Sequence, residues 1–387
     1  MTSPCKKLSV RYRREAREKW IVIQRLGTMG GGLNDCISKV KCSNPSAQGM
    51  VFIEKRFGKK LFEAGVPPLE VQILQQIQDH DHITKMVDHF LDGSIPAGAV
   101  YMEYCDVGSL ADVAEGVAQG FYVNEHKIWN WFHQVATALA YCHRGPKPDM
   151  SDDEIFQSGW SRIYHRDIKP GNILLTIMNG HVVAKLADFG YAVTEDILAL
   201  ERSRGHAIMQ PGGTPGFDAP EMPFFSGASD IWQLGLSILC VCTGIKTPWS
   251  KSMPKGQIWD EGRPAGPRYS FELSEVLKKC LEKSFARRVE VNSLLVLVVT
   301  NYQAIKAKVP TDKSPTMVFD SITNDGKEKS PPRYRRPIRH FTRYEGPLGP
   351  RNAGNHRRLQ PGIPVDMIPF YGAGYHGDEY GEESRGW

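Results

Sequence analysis

The spacing of hydrophobic and polar positions changes along this chain, and the change divides it. Trp20-Ile21-Val22-Ile23 begins a run of β-type residues, glycines cluster after it, and Met50–Phe57 is a second strand candidate. Pro67-Pro68 then opens a helical segment, because proline is tolerated in a first turn where its missing N–H has no partner to lose. Glu70, Leu74 and Ile77 share one face of that segment, and Ala99–Tyr104 reads as another strand. Farther on, Ile128, Trp131, Phe132, Val135, Ala136 and Leu139 form one apolar stripe at helical spacing. Early strands with one helix, followed mostly by helices, predict an α+β arrangement in two lobes. The β-rich lobe covers about 20–104 and the larger helical lobe about 105–305.

After Pro310 the periodicity decays. Lys329-Ser330-Pro331-Pro332-Arg333-Tyr334-Arg335-Arg336-Pro337 leads into a Gly/Pro/Arg/Tyr-rich stretch, so residues 306–387 read as a disordered tail that buries too little apolar area to offset chain entropy. The whole chain is 41% hydrophobic and 24% charged, enough to bury a large core. The net charge of +5 sits at the ends. Residues 1–19 carry seven Lys/Arg against Glu15 and Glu18, and the tail carries fourteen against ten acids, which leaves the body slightly acidic. Eight cysteines without a C-x-x-C spacing argue against a zinc site or a disulfide framework and for a reducing compartment. The basic N-terminus has no apolar run behind it, and the longest apolar stretches, Ile231–Val241 and Leu294–Thr300, fall short of the roughly 20 residues a bilayer requires. The expectation is a soluble intracellular protein, cytoplasmic or nuclear, with no membrane partner.

The chemistry concentrates in His165-Arg166-Asp167-Ile168-Lys169-Pro170-Gly171-Asn172, followed by an apolar strand, a turn and Asp188-Phe189-Gly190. This pair resembles the H-R-D-x-x-x-x-N loop and D-F-G motif of eukaryotic-type protein kinases in identity, order and spacing. The resemblance covers about residues 20–305 and implies a two-lobed kinase domain between a basic extension and a basic tail. Tyr164-His165-Arg166-Asp167-Ile168-Lys169-Pro170 is similar to the never-in-mitosis type of divergent Ser/Thr kinase.

The resemblance implies a role for each residue that fits its motif. Asp167 accepts the proton of the attacking hydroxyl or orients it, and Lys169 offers a positive charge to the transferring phosphate. Asn172 and Asp188 ligate Mg2+, an ion that demands oxygen donors. Lys55, on a strand, points at the α- and β-phosphates of ATP and pairs with Glu70. His165 and Phe189 pack beneath the site. Met102 is the gatekeeper, the backbones of Glu103 and Cys105 meet the adenine edge, and Ser109 lies where the ribose would be. Gly27 and Gly32 bound the phosphate loop Leu26-Gly27-Thr28-Met29-Gly30-Gly31-Gly32, in which Met29 replaces the family's second glycine. Glu221, in Gly213-Thr214-Pro215-Gly216-Phe217-Asp218-Ala219-Pro220-Glu221, pairs with Arg288, and Asp230 anchors the catalytic loop.

Lys169 with Thr214 is the combination of kinases that act on Ser and Thr, so the implied partners are protein substrates. Arg166 beside Asp167 further implies an upstream activating kinase acting at Ser203 or Thr214. A rival reading, an ATP-binding pseudokinase scaffold with an interaction tail, has Met29 as its support. A third reading has the tail's arginines, interleaved with Tyr334, Phe341 and Tyr344, binding nucleic acid, against a plain solvated tail. The acidic insertion between His143 and Tyr164 reads as a solvated loop, with a docking site for basic partners as the alternative.

Overall fold

The computed structural model describes residues 19–27, 36–44, 47, 49–92, 97–147, 149–203 and 213–309. Most of the basic N-terminal extension, the phosphate-loop positions Met29 and Gly32, and nearly all of the tail lie outside the described residues.

The first lobe is a five-stranded antiparallel sheet in the order β1-β2-β3-β5-β4: β1 Trp20–Gly27, β2 Cys36–Cys42, β3 Val51–Phe57, β4 Met86–Asp92 and β5 Ala97–Glu103. β3 lies at its centre and is mostly buried, as the apolar positions Phe52 and Phe57 require. Two helices follow β3, α1 (Lys59–Glu63) and α2 (Val66–Gln76). Gly65, at φ 66°, turns the chain between them, and Pro67 and Pro68 occupy the first turn of α2 as their fixed φ allows. Val66, Val71, Phe57, Leu61 and Val100 pack together and hold α2 against the sheet. β2 and β4 have no counterpart in the sequence reading, and the observed β5 begins two residues earlier than expected.

The second lobe is helical. Short β6 (Gly108–Ser109) precedes α3 (Leu110–Ala118) and the long α4 (Glu125–Arg144). Asn124 caps α4 by accepting from the N–H of His126 at 2.9 Å, and His143 and Arg144 close its negative end. The apolar stripe expected from Ile128 to Leu139 is fully buried. An insertion containing α5 (Asp152–Ser158) leads to β7 (Ile163–Tyr164). The hairpin β8 (Ile173–Met178) and β9 (His181–Leu186) follows, then β10 (Val193–Thr194) and α6 (Glu195–Ser203). α7 (Gly227–Thr243) is buried almost all round, which explains its continuous apolar sequence. α8 (Phe271–Cys280) and α9 (Val291–Ile305) pack beside it. The architecture is thus α+β in two lobes. No helix among the described residues is long and apolar enough to cross a membrane.

Candidate active site

Three charged side chains converge where the two lobes meet. The Nζ of Lys55, from β3, lies 2.7 Å from Glu70 Oε1 of α2 and 2.7 Å from Asp188 Oδ1, in the turn after β9. Burial disfavours the ammonium, but Asp188 and Glu70 outweigh it and hold the Lys55 pKa above its ordinary range. Burial likewise works against the Asp188 carboxylate, yet Lys55 holds it ionised, below the usual range. Burial pushes Glu70 up, and its Oε2 finds no hydrogen-bond partner among the described residues. Exposure decides which carboxylate a cation could reach: 36% of the Asp188 side chain is accessible against 2% for Glu70. Gly190 makes the convergence fit, because a Cβ there would lie 3.0 Å from Lys55 Nζ, 3.3 Å from Asp188 Oδ1 and 3.4 Å from Glu70 Oε2.

The second group surrounds Asp167, which is 2% exposed. Thr214 donates its hydroxyl to Asp167 Oδ1 at 2.8 Å, and Lys169 Nζ reaches Thr214 Oγ1 at 2.6 Å and Asp167 Oδ2 at 3.2 Å. Asn172 lies in a 3-10 turn, Pro170–Asn172, and donates its NH2 to the Asp167 carbonyl (2.8 Å) and to Oδ2 (3.0 Å). The amide nitrogen being committed to the loop, the carbonyl oxygen is the atom Asn172 can offer a cation.

The loop is held from below. Asp230 of α7, fully buried, accepts from the backbone N–H groups of His165 (2.9 Å) and Arg166 (2.8 Å), and its Oδ2 also lies 2.9 Å from His143 Nε2. Three residues on, Gln233 accepts from Ile168 N–H and donates to the Arg166 carbonyl. These bonds hold Arg166 at φ 69°. His165 is buried against Phe189, ring centroids 4.7 Å apart. Gln233 is absent from the sequence reading; its spacing of three from Asp230 on one helix was the available signal.

The expected hinge begins at Glu103, the last residue of β5. Glu103 uses its N–H on the Lys85 carbonyl (2.9 Å), and its carboxylate takes Lys185 Nζ (2.7 Å) and Lys85 N–H (2.8 Å). Cys105 is buried, and burial pushes its thiol up to about 12. Ser109 caps α3: its hydroxyl oxygen accepts from the Asp112 N–H at 3.4 Å, and the hydroxyl donates to Asp112 Oδ2 at 2.7 Å. Gly27 ends β1, opposite Ile37.

The expected phosphorylation positions part company. Thr214 is committed between Asp167 and Lys169, so a phosphate there would press negative charge onto Asp167. Ser203 ends α6 and is exposed. Arg166 is fully buried, its guanidinium 4.5 Å from the Phe225 ring and donating to the Tyr191 carbonyl at 3.5 Å. Glu221 and Arg288 meet as expected in a two-pronged pair, at 2.6 and 2.9 Å.

Such an arrangement, with a lysine braced from a helix and a catalytic loop hung from a buried aspartate, is that of a protein kinase. The model of the protein kinase domain matches residues 25–297, and the chain belongs to that family. It is similar to the serine/threonine-protein kinase Nek2 of Homo sapiens, 31% identical over 233 residues that cover 58% of this chain and 48% of that protein. It is similar also to the G2-specific protein kinase nim-1 of Neurospora crassa, 31% identical over 221 residues covering 52% of this chain and 24% of that one. With the probable serine/threonine-protein kinase nek2 of Dictyostelium discoideum it shares 28% over 300 residues, 74% of this chain and 64% of that protein. The chain thus covers less than half of the first two relatives' own length.

Proposed function

We propose that this chain is a protein serine/threonine kinase that transfers the γ-phosphate of ATP to hydroxyls of protein substrates. The observation that carries this reading is the contact of both Lys169 and Thr214 with Asp167, while Lys55 is braced by Glu70 and Asp188. An acceptor hydroxyl placed at Asp167 hydrogen-bonds its carboxylate, which aims the oxygen in line. The oxygen bonds to the γ-phosphorus, the bond to the ADP oxygen breaks, ADP leaves with the electron pair, and the proton passes to Asp167. In this reading Lys169 would face the charge of the transferring phosphate, and Lys55 would face the α- and β-phosphates. Adenine would meet the carbonyl of Glu103 and the backbone of Cys105, and Gly27 would lie at the start of the phosphate loop.

The donor set suits Mg2+. Asp188 and Asn172 offer hard oxygens, the ligand type this ion takes alongside substrate phosphates and water. Bound there, Mg2+ would neutralise charge across the β- and γ-phosphates.

Radiolabelled transfer from Mg-ATP to casein and to a Ser/Thr peptide library tests the reading. Wild-type protein should transfer, and Asp167→Asn should lose turnover while keeping its unfolding midpoint and its thermal shift with Mg-ATP. Nucleotide binding without transfer in the wild-type chain would favour the pseudokinase instead.

A further inference from the structure

Between Arg144 and Ile163 the chain makes a detour for which phosphoryl transfer has no evident use. It is closed firmly onto α4. The Trp160 ring lies edge-on to Tyr141, centroids 5.1 Å apart, and its Nε1–H donates to the Cys142 carbonyl at 3.2 Å. Gly145 turns the chain at φ 85°, and a Cβ there would come within 3.0 Å of the Trp160 ring, so turn and ring fit together only around a glycine. Asp152 accepts from Arg162 at 2.5 Å and from Arg144 at 3.4 Å, and Arg144 donates to the Met150 carbonyl.

The strip that leaves the detour touches both elements on which the site depends. Gln76, the last residue of α2, donates its Nε2–H to the carbonyl of buried Ser161 at 2.8 Å. Glu195 N–H donates to the Arg162 carbonyl at 2.8 Å, Ile163 and Tyr164 pair with Thr194 and Val193, and Tyr164 Oη donates to Glu195 Oε2 at 2.7 Å. β10 in turn packs against α2. One short segment, anchored to the rigid α4 and running straight into His165, therefore holds the helix that carries Glu70 and the start of the segment after Asp188.

We propose that the 145–162 detour is a built-in brace that keeps α2 and the segment after Asp188 in their working positions, with Gln76 and Trp160 as positioning residues for the Lys55–Glu70 pair. This rests on the kinase reading above. Helix α2 moves as a rigid rod, so a bond at its last residue limits the shift of Glu70 away from Lys55.

The test uses the full chain with Gln76→Ala, Trp160→Ala, Trp160→Phe and, as a control on the exposed side of α5, Asp153→Ala. Peptide phosphorylation gives kcat and KM for ATP, and hydrogen exchange follows residues 66–76 and 193–203 without nucleotide. Gln76→Ala should lower kcat/KM by about three- to tenfold through KM for ATP, the range one ordinary hydrogen bond can hold. Trp160→Ala should do at least as much, Trp160→Phe should recover most of the loss, and Asp153→Ala should match wild type. Exchange should quicken in both peptides for Gln76→Ala and Trp160→Ala. Unchanged exchange in 66–76 with unchanged KM for ATP overturns the brace, even if the melting temperature falls. The exchange experiment needs no turnover, so failure of the brace and failure of the kinase reading are told apart.

Discussion

Lys55 Nζ and Asp188 Oδ1 are joined directly at 2.7 Å, so the carboxylate suited to magnesium also holds the lysine suited to phosphate. The contact exists because Gly190 leaves room for it. Gly190→Ala should force Lys55, Asp188 and Glu70 apart by a few tenths of an ångström and raise the half-saturating Mg-ATP concentration about tenfold, since each 1.4 kcal/mol is a factor of ten. A nucleotide titration followed by fluorescence checks this, and an unchanged midpoint counts against the triad as the nucleotide's anchor.

Glu221 and Arg288 hold the end of the 213–221 segment to the base of the lobe. The Arg288 side chain has no exposure, its guanidinium also donates to the Ala228 carbonyl, and it lies 5.1 Å from the Trp232 ring. Glu221→Gln leaves this cation buried without its counter-charge, which should cost about 3 kcal/mol of stability. Urea unfolding of the two proteins gives the difference directly, and a midpoint within error of wild type would refute it.

His80 sets a limit on the acid side. Burial first, and then the neighbouring His82, hold its pKa down to about 4, with Lys185 and Lys85 adding to the effect and Asp81 opposing it. The unfolded chain takes up this proton near the usual 6.5 and the folded chain only near 4, so protons favour unfolding. Its share of stability is full above about pH 6.5 and is lost as pH falls toward 4. His80→Gln should therefore show a shallower fall in melting temperature between pH 7 and pH 4.5 than the parent; parallel curves would contradict the assignment.

Cys105 lies beside the expected adenine edge and yet should be inert. Its thiol, pushed up to about 12 by burial and then by Glu103, is almost wholly protonated at neutral pH, and the thiolate is the reactive form. Iodoacetamide at pH 7.5 should leave the Cys105 peptide unmodified in the native protein and label it fully in urea, as mass spectrometry would report. Rapid labelling of the folded chain would disprove this.

What could be read in advance was local. Asp167, Lys169 and Asn172 fall within one loop, and Asp188 follows it by a strand and a turn, so their order alone suggests a shared site. The strands β2 and β4 could not be read the same way. Every residue of β4 is half-buried, and Asp88, His89 and Asp92 break any apolar run, so it is identified by its pairing with β5 and not by its own pattern. The distant pairs Lys55–Glu70 and Glu221–Arg288 were legible only through the motif resemblance, and contacts outside those motifs were hidden. Gln76 and Ser161 are separated by 85 positions, and the bond between them uses a backbone carbonyl, which has no sequence signature.

Asp230 also governs timing. It lies 64 and 65 positions beyond the backbone groups it fixes, Arg166 and His165, and 87 beyond His143. Contacts of such long sequence separation form late, after chain closure has cost its entropy. During synthesis residues 165–172 are therefore made well before Asp230, and the bonds that hang their backbone from α7 must wait until that helix has left the ribosome.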